Sequence, residues 1–394
     1  MDRIALFQYE WPFLSYTSNL ALKLAESGYF VDYFQKDCSL NFFQPDAISN
    51  HKNISVYSLS LSRVEKWGEK VLRKMFEVPS PTPEDEIISK WAFKKSLDII
   101  KKKSYKCFIG IEKKGLIWAG EMAEIVPVPY IYFNTELYIE DHPVRNEQGF
   151  EQLRKKERKY HRLSRATIIQ DSDRADVLLK ANEISSTDLV YIPISILGDI
   201  NEKRDHYFHE TFKVPRDKKI ILCLGQIMKG RLSFELAKAS KNLDDGYVMV
   251  LHGPAGKDVV ETLKSYSNEK LIISEKLVPS QMLRQLAASA YIGLVIFNND
   301  CSNNRLTAFS SEKIAYYTQS GLPIIALDIG NYRKLMEAYP CGELIGDIKD
   351  LNSAIDKITK NYEYYCRNSY AAYSERFNFE RHYHILQAYL ERMN

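Results

Sequence analysis

Residues 308–326 read AFSSEKIAYYTQSGLPIIA and join a hydroxyl-rich turn to a segment of helical composition, after which Gly321-Leu-Pro leads into an apolar run. Ser310 and Ser311 stand where a helix would begin, a position that favours serine because the first backbone N–H groups of a helix have no intrahelical partner. Lys313 adds a cation in the first turn. Together these groups predict an anion-binding corner between a helix and a buried strand.

The length and charge of the chain limit its organisation and its partners. At 394 residues the chain exceeds a single ordinary core, which predicts two domains. Hydrophobic residues make up 45% of it, enough to bury both cores. The 54 basic and 51 acidic residues give a net charge of +3, which offers no general attraction to nucleic acid, so no nucleic-acid partner is expected.

The cysteines and the absence of long apolar segments indicate a cytoplasmic protein. No C-x-x-C pair occurs, so neither a zinc site nor a disulfide framework is expected. The N-terminal residues lead directly into a strand pattern, and no segment approaches the roughly 18 apolar residues of a membrane span. We expect a soluble protein, with peripheral attachment to the inner face of the membrane as the alternative. The six cysteines are scattered: Cys38, Cys107, Cys223, Cys301, Cys341 and Cys366.

The alternation of short apolar runs with helix-period segments predicts an α/β protein made of two Rossmann-like, doubly wound domains. The first covers residues 1–200 and the second residues 201–372, with the polar stretch 199–219 as the connection. Residues 373–394 form a helical, aromatic-rich C-terminal segment. If the two domains face each other, the carboxyl ends of both sets of strands meet at one cleft, and the functional residues belong in the loops that follow strands.

Two such loops in the second domain suit a phosphate group. LGQIMKGRL, residues 224–232, lets backbone approach a ligand at Gly225 while Lys229 and Arg231 supply positive charge. LHGPAG, residues 251–256, makes another tight turn and places His252 at a strand end. The alternatives are a strand–turn–helix with solvated basic side chains and a structural histidine.

The order and spacing of these motifs resemble the C-terminal domain of GT-B glycosyltransferases, of the GT4-like kind, where a Ser/Thr-x-Lys helix start is followed by Gly-x-Pro and a strand. The resemblance implies two domains facing across a cleft, a nucleotide-sugar donor bound by residues 201–372, an acceptor bound by residues 1–200, and a last helix that returns to the first domain. It implies that the donor contacts are Gly225, Lys229, Arg231, His252, Ser310, Ser311, Glu312 and Lys313.

The chain departs from many relatives at two positions. Many retaining GT-B enzymes carry two glutamates eight residues apart in this segment, where the present chain has Ala308 and Tyr316. The departure weakens the inference that the anomeric configuration is retained. Glu312 either contacts a ribose or sugar hydroxyl or is an acidic residue favoured in a first helical turn.

The donor chemistry is expected to need no metal or other cofactor. Cations, hydroxyls and helix N–H groups can stabilise a departing nucleotide diphosphate. Asp171 and Asp173 have the spacing of a metal-binding D-x-D pair, but they precede a helical pattern, so Ser172 and Asp173 are interpreted as a helix cap.

The acceptor side is expected after the strand 128–133, where an acidic loop follows. Glu136 is the first candidate for the base that deprotonates or orients an acceptor hydroxyl, and Asp141 is the second. A solvated acidic loop is the alternative. Trp11 and Phe13 either stack on an acceptor or pack a domain interface.

Two basic amphipathic stretches, residues 64–76 and 91–106, suggest contact with an anionic membrane surface. The alternative is that both face their own core.

The leading hypothesis is a glycosyltransferase that moves a sugar from a nucleotide-diphosphate sugar to a hydroxyl of a glycan, a polysaccharide or a lipid-linked precursor. A non-catalytic nucleotide-sugar-binding protein and a sugar-nucleotide epimerase of the same fold are the alternatives. A dinucleotide-dependent oxidoreductase is not expected, because no G-x-G-x-x-G follows a strand.

Overall fold

A computed structural model describes residues 2–9, 15–36, 46–59, 88, 90–276 and 278–393. The chain divides into two compact units, the first made of Met1–Ile192 with Tyr383–Asn394 and the second of Pro193–His382. Among the described residues of each unit, every strand pairing is parallel. The predicted α/β class is confirmed.

The described part of the first unit holds a sheet of seven strands in the order β3-β2-β1-β4-β5-β6-β7. Its strands are β1 Arg3–Gln8, β2 Phe30–Lys36, β3 Ile54–Leu59, β4 Cys107–Ile111, β5 Tyr130–Phe133, β6 Ala166–Ile169 and β7 Asp188–Tyr191. Its helices are α1 Ser15–Glu26, α2 Asp46–Ser49, α3 Lys90–Ile100, α4 Glu112–Ile125, α5 Phe150–Leu163 and α6 Ser172–Ala181.

The second unit holds a sheet of six described strands in the order β10-β9-β8-β11-β12-β13. Its strands are β8 Lys219–Leu224, β9 Tyr247–His252, β10 Leu271–Ser274, β11 Ile292–Val295, β12 Ile324–Leu327 and β13 Gly342–Ile345. Its helices are α7 Tyr207–Phe212, α8 Ser233–Ala239, α9 Lys257–Lys264, α10 Ser280–Ala288, α11 Ser302–Arg305, α12 Glu312–Gln319, α13 Tyr332–Ala338, α14 Leu351–Lys360 and α15 Tyr362–Ala372.

The second sheet is buried on both faces, which explains why its strands are continuous apolar runs. Successive side chains of a strand point to opposite faces. Ile220, Leu222 and Leu224 accordingly belong to one apolar cluster, and Ile221 belongs to the cluster on the other face.

The C-terminal segment begins with a π-helical turn, Tyr373–Phe377, and continues as helix α16, Phe379–Arg392. The hydroxyl of Tyr389 lies 3.1 Å from the carbonyl oxygen of Arg165 and 3.0 Å from the carboxylate of Asp188. These contacts fix the end of α16 to the sheet of the first unit.

Gly321, in the Gly-Leu-Pro turn, adopts a φ of +63° that favours glycine. A Cβ at this position would lie 2.2 Å from Cζ of Tyr370. We expect Gly321→Ala to lower the free energy of unfolding by about 1–3 kcal/mol, measured by urea denaturation. Gly246→Ala is the matched control, since a Cβ there meets nothing within 4 Å, and it should change stability by less than about 0.5 kcal/mol. Equal stabilities for the two variants would contradict this account.

Candidate functional site

The candidate donor site lies at the point of the second sheet where the strand order reverses. The chain leads from β8 to β9 and β10 on one side and continues with β11 on the other. Ligands of open parallel sheets bind in the crevice at such a switch point, beyond the carboxyl ends of the strands. Here β8 pairs with β11 only through Ile292 opposite Ile221 and Gly293 opposite Leu222. Beyond that pair the two strands separate.

Two glycines let the loops after β8 and β9 approach each other. Gly225 has a φ of +113° and donates its N–H to the carbonyl oxygen of His252 at 3.0 Å. Gly253 has a φ of +148°, and a Cβ there would lie only 2.2 Å from the carbonyl oxygen of Gly225. Side chains at either position would therefore be strained.

Two predicted cations converge at this turn from different elements. Measured from the position that a Cβ of residue 225 would occupy, Nη1 of Arg231 lies at 3.4 Å and Nζ of Lys313 at 3.6 Å. Both also lie over the ring of Phe297, with the Arg231 guanidinium carbon 4.9 Å and the Lys313 ammonium 4.6 Å from its centroid. An aromatic face attracts cations and so offsets part of their mutual repulsion.

Lys313 is a buried charge without a conventional partner. The residue is 8% exposed, and within the described part of the chain its ammonium has no hydrogen-bond partner. The pKa of Lys313 is lowered from 10.5 to about 8, mainly by burial; the nearby Cys223 opposes this shift and the charge of Arg231 adds to it. An anion bound here would supply the missing negative charge.

Helix α12 begins at Glu312, after Ser311, whose backbone is extended and whose side chain makes no capping hydrogen bond. The Ser310 hydroxyl instead donates to the carbonyl oxygen of Leu306 at 3.0 Å. Ser311 is buried, while Ser310 and Glu312 are half-buried. The structure thus brings the predicted serines to the helix start, next to Lys313.

The two other predicted donor residues lie in different surroundings. Lys229 is exposed, in the 3-10 turn Lys229–Arg231. His252 is 2% exposed, and its Nδ1 lies 2.8 Å from the hydroxyl of Ser274. Burial, together with the charge of Lys276, lowers the pKa of His252 to about 4, so its ring is neutral at pH 7.

The predicted acceptor residues follow β5 in the first unit. Glu136 is half-buried, and its carbonyl oxygen accepts a hydrogen bond from Asn134 at 3.0 Å. Burial lowers the pKa of Arg174. Of the neighbouring charges that oppose this shift, the Glu136 carboxylate has the largest effect. Asp141 is half-buried in the turn before Pro143–Asn146.

Sequence reasoning missed the charged groups that surround this loop. Glu112 has a φ of +59°, which is strained for a residue with a Cβ, and its Oε1 accepts the N–H of Thr135 at 3.1 Å. Lys113 is buried beside it, with its ammonium 3.9 Å from Glu157. Burial alone would raise the pKa of Glu157, but Lys113 and Arg154 outweigh burial and lower it. The only sequence signal was an Ile-Glu-Lys triplet at a strand end.

The D-x-D pair forms part of a helix start. The Asp171 side chain accepts the N–H of Arg174 at 3.0 Å and so caps α6. The cap is thus Asp171, one residue before the predicted Ser172. Among the described residues, no group of three or more His, Cys, Asp or Glu side chains is placed to hold a metal ion.

Of the two stretches suggested for membrane contact, residues 64–76 lie outside the described residues, as do Trp11 and Phe13. In the other stretch, Lys103 donates to the buried carboxylate of Asp32 at 2.8 Å, a contact within its own unit. Lys95 is exposed and lies over the ring of Trp91. No helix in the described ranges has the length and apolar character that crossing a membrane requires.

The fold matches solved structures along almost the whole chain. Sucrose-phosphate synthase from Thermosynechococcus elongatus aligns with a TM-score of 0.69 and 14% identity over 99% of both chains. HepE from Anabaena, solved in complex with UDP-glucose, aligns with a TM-score of 0.70 and 14% identity over 99% of this chain and 100% of HepE. WaaG, a glycosyltransferase involved in lipopolysaccharide biosynthesis, aligns with a TM-score of 0.63 and 12% identity over 100% of both chains.

No protein-family model matches the chain, and neither does any curated protein sequence. At the identities found, the structural similarity establishes the fold: the chain has the two-domain GT-B fold that residues 308–326 and the two glycine loops predicted.

We expect Lys313→Met to raise the free energy of unfolding by about 1–3 kcal/mol near pH 7, because it removes a buried, unpaired charge. The folded-state pKa of about 8 lies below the ordinary value of 10.5, so the charge opposes folding in full below pH 8 and progressively less as the pH rises to 10.5. Urea denaturation should therefore show a gain near pH 7 that disappears by about pH 10.5.

Lys241→Met is the control, since Lys241 is exposed in the same unit, and it should leave stability unchanged at both pH values. A Lys313→Met variant that is less stable than the parent at pH 7 would contradict the account.

Proposed function

We propose that the chain is a glycosyltransferase that transfers a sugar from a nucleotide-diphosphate sugar to a hydroxyl acceptor. The observation that carries the proposal is the buried ammonium of Lys313, which has no hydrogen-bond partner in the described residues and lies with Arg231 at the switch point of a parallel sheet. Two cations and a helix start in that position suit a diphosphate. The GT-B fold adds support, since HepE was solved with UDP-glucose.

In this proposal the donor residues stabilise the departing nucleotide diphosphate. As the bond between the sugar and the diphosphate breaks, negative charge grows on the leaving oxygen. Arg231 and Lys313 neutralise it, with the exposed Lys229 assisting from the loop. Ser311 donates a hydrogen bond from the helix start, and Ser310 donates one after its hydroxyl turns away from the carbonyl oxygen of Leu306. Gly225 gives the diphosphate access to backbone, and Glu312 contacts a ribose or sugar hydroxyl.

His252 has a narrower role in the proposal. It is neutral at pH 7 and held by Ser274, so it supports the loop at Gly253 and supplies no charge. The reaction needs no metal, because the cations named above already provide positive charge.

On the acceptor side, Glu136 takes the proton of the attacking hydroxyl, and Asp141 is the second candidate. The Glu136 carboxylate offsets part of the effect of burial on the pKa of Arg174, so an opposite charge lies within reach of this candidate base. The acceptor is a glycan, a polysaccharide or a lipid-linked precursor, and an anionic membrane surface is a proposed partner through the exposed lysines of α3.

Nucleotide binding tests the donor half of the proposal. A thermal-shift screen with UDP-, GDP-, ADP-, CMP- and dTDP-linked sugars should find one that stabilises the protein, by about 2.7 kcal/mol at 100 times its dissociation constant. Arg231→Ala and Lys313→Met should each abolish the shift, while Lys241→Met retains it. Absence of a shift with every nucleotide sugar would refute the donor site.

The same binding should depend on pH through Lys313. A diphosphate favours the ammonium form, so binding at pH 8, where half of the Lys313 side chains are neutral, takes up about half a proton, and affinity falls by up to about tenfold per pH unit above 8. Calorimetry in two buffers of different ionisation enthalpy measures this uptake. Lys313→Arg keeps the charge and should remove the proton uptake; equal uptake by both proteins would assign it to another group.

Turnover tests the acceptor half. With the donor found in the screen, Glu136→Gln should lower kcat by about 10²- to 10⁴-fold while donor affinity stays unchanged. Asp141→Asn is tested in parallel as the second candidate. Activity should survive a metal chelator, and loss of activity with recovery on adding Mg²⁺ or Mn²⁺ would overturn the metal-free mechanism.

Donor incubated without acceptor separates the two alternatives. An epimerase yields a new nucleotide sugar, whereas a binding protein gives a thermal shift and no product under any condition. Product formation that requires an acceptor supports the glycosyltransferase.

A further inference from the structure

Tyr317 is a fully buried tyrosine on helix α12 whose hydroxyl binds the backbone of a strand. The hydroxyl donates to the carbonyl oxygen of Leu222 at 3.0 Å and accepts the N–H of Leu224 at 2.8 Å. Burial holds the pKa of Tyr317 well above 10, so the hydroxyl keeps its proton and can make both bonds.

These two backbone groups are the ones that the neighbouring strand β11 leaves without a partner. Backbone groups of alternate residues in a strand point toward the same neighbour. The carbonyl oxygen of Ile220 accepts the N–H of Tyr291, the residue before β11, so the corresponding groups of Leu222 and Leu224 face the same side. Pairing with β11 ends at Leu222, and beyond Gly293 strand β11 pairs with β12 alone. The Tyr317 hydroxyl therefore fills the gap where the strands separate.

The sequence makes room for this ring at Gly293. A Cβ on residue 293 would lie 2.4 Å from Cδ2 of Tyr317, so the ring occupies the space of a side chain. The same helix carries Lys313 four residues earlier, and residues four apart lie on one helix face, one turn from each other. Tyr317 thus connects the end of β8 to the helix face that presents the Lys313 ammonium.

We propose that Tyr317 is a positioning residue for the nucleotide-diphosphate site: it fixes the end of β8, and with it Gly225 and the loop to Arg231, at the correct distance from Lys313. The inference rests on the proposed function. Tyr317 itself contacts no ligand in this account; it acts through the backbone of Leu222 and Leu224.

The test compares Tyr317→Phe with Tyr130→Phe. Tyr130 is buried in the first unit, and its hydroxyl donates to the carbonyl oxygen of Tyr160 at 2.8 Å, so each variant loses a buried hydroxyl bound to backbone. Dissociation constants are measured for UDP, GDP, ADP, CDP and dTDP. For the nucleotide that the parent protein binds, Tyr317→Phe should raise the dissociation constant about tenfold, and Tyr130→Phe should leave it unchanged.

Hydrogen exchange of the unliganded protein gives a measurement that does not depend on nucleotide binding. The amide of Leu224 should exchange at least tenfold faster in Tyr317→Phe, because its acceptor is gone. The amide of Gly225, which donates to His252 on the other side of β8, should stay protected and serves as the internal reference.

A kinetic comparison separates positioning from loss of folded protein. Positioning predicts a higher KM for the donor at nearly constant kcat, whereas partial unfolding lowers the maximal rate at constant KM. An unchanged dissociation constant in Tyr317→Phe, with the parent protein binding nucleotide, overturns the positioning role alone. A parent protein that binds none of the five nucleotides overturns the donor site and the positioning role together.

Discussion

The separation of strands β8 and β11 after Leu222 and Gly293 is the constraint on which the second unit depends. Neighbouring paired strands lie about 4.8 Å apart, which leaves no room for a side chain between them. Separation creates that room but exposes backbone groups to a dry interior, where an unpaired group costs about 1–3 kcal/mol. The Tyr317 side chain occupies this space, and its hydroxyl forms hydrogen bonds with the backbone groups that the separation exposes. The position of Gly225, and of the crevice beside it, depends on these hydrogen bonds.

Among the described residues, buried charges are compensated in the first unit and uncompensated in the second. In the first unit, Glu157 lies between Arg154 and Lys113, and Asp32 accepts from Arg3 and Lys103, so negative and positive groups compensate each other. In the second unit, Lys313 and Arg231 bring like charges to one aromatic ring, that of Phe297. Such an arrangement costs stability in the absence of an anion, and a trade of stability for binding is typical of functional sites.

Much of the fold and part of the site could be predicted from the sequence, because they depend on local patterns. Alternating apolar runs located the strands, and glycines beside cations located the turn at Gly225 and the basic residues Arg231 and Lys313. Phe297 could not be found this way, since it follows a strand as one more apolar residue and becomes a cation-binding surface only after two distant elements pack on it. Glu112 was missed for a similar reason, because its positive φ and its hydrogen bond with Thr135 exist only in the folded chain.

Some predicted residues illustrate how tertiary context changes the role of a side chain. Serine is a residue type that favours a helix cap, yet the hydroxyl of Ser310 donates to the carbonyl oxygen of Leu306. Asp171 caps α6 although Ser172 is equally suited by propensity, because the cap must have extended backbone and Asp171 provides it. Propensity identifies the region of a helix start, and packing selects the residue.

Gly293 and Tyr317, which lie on different elements, form a single packing unit. The ring fills the volume that a side chain at 293 would need, so any larger residue at 293 displaces the tyrosine and leaves the end of β8 without its hydrogen bonds. The energetic effects of changes at the two positions are therefore not additive. We therefore expect a large residue at 293 to be accommodated only in a chain whose residue 317 has a smaller side chain, so that the two positions change together.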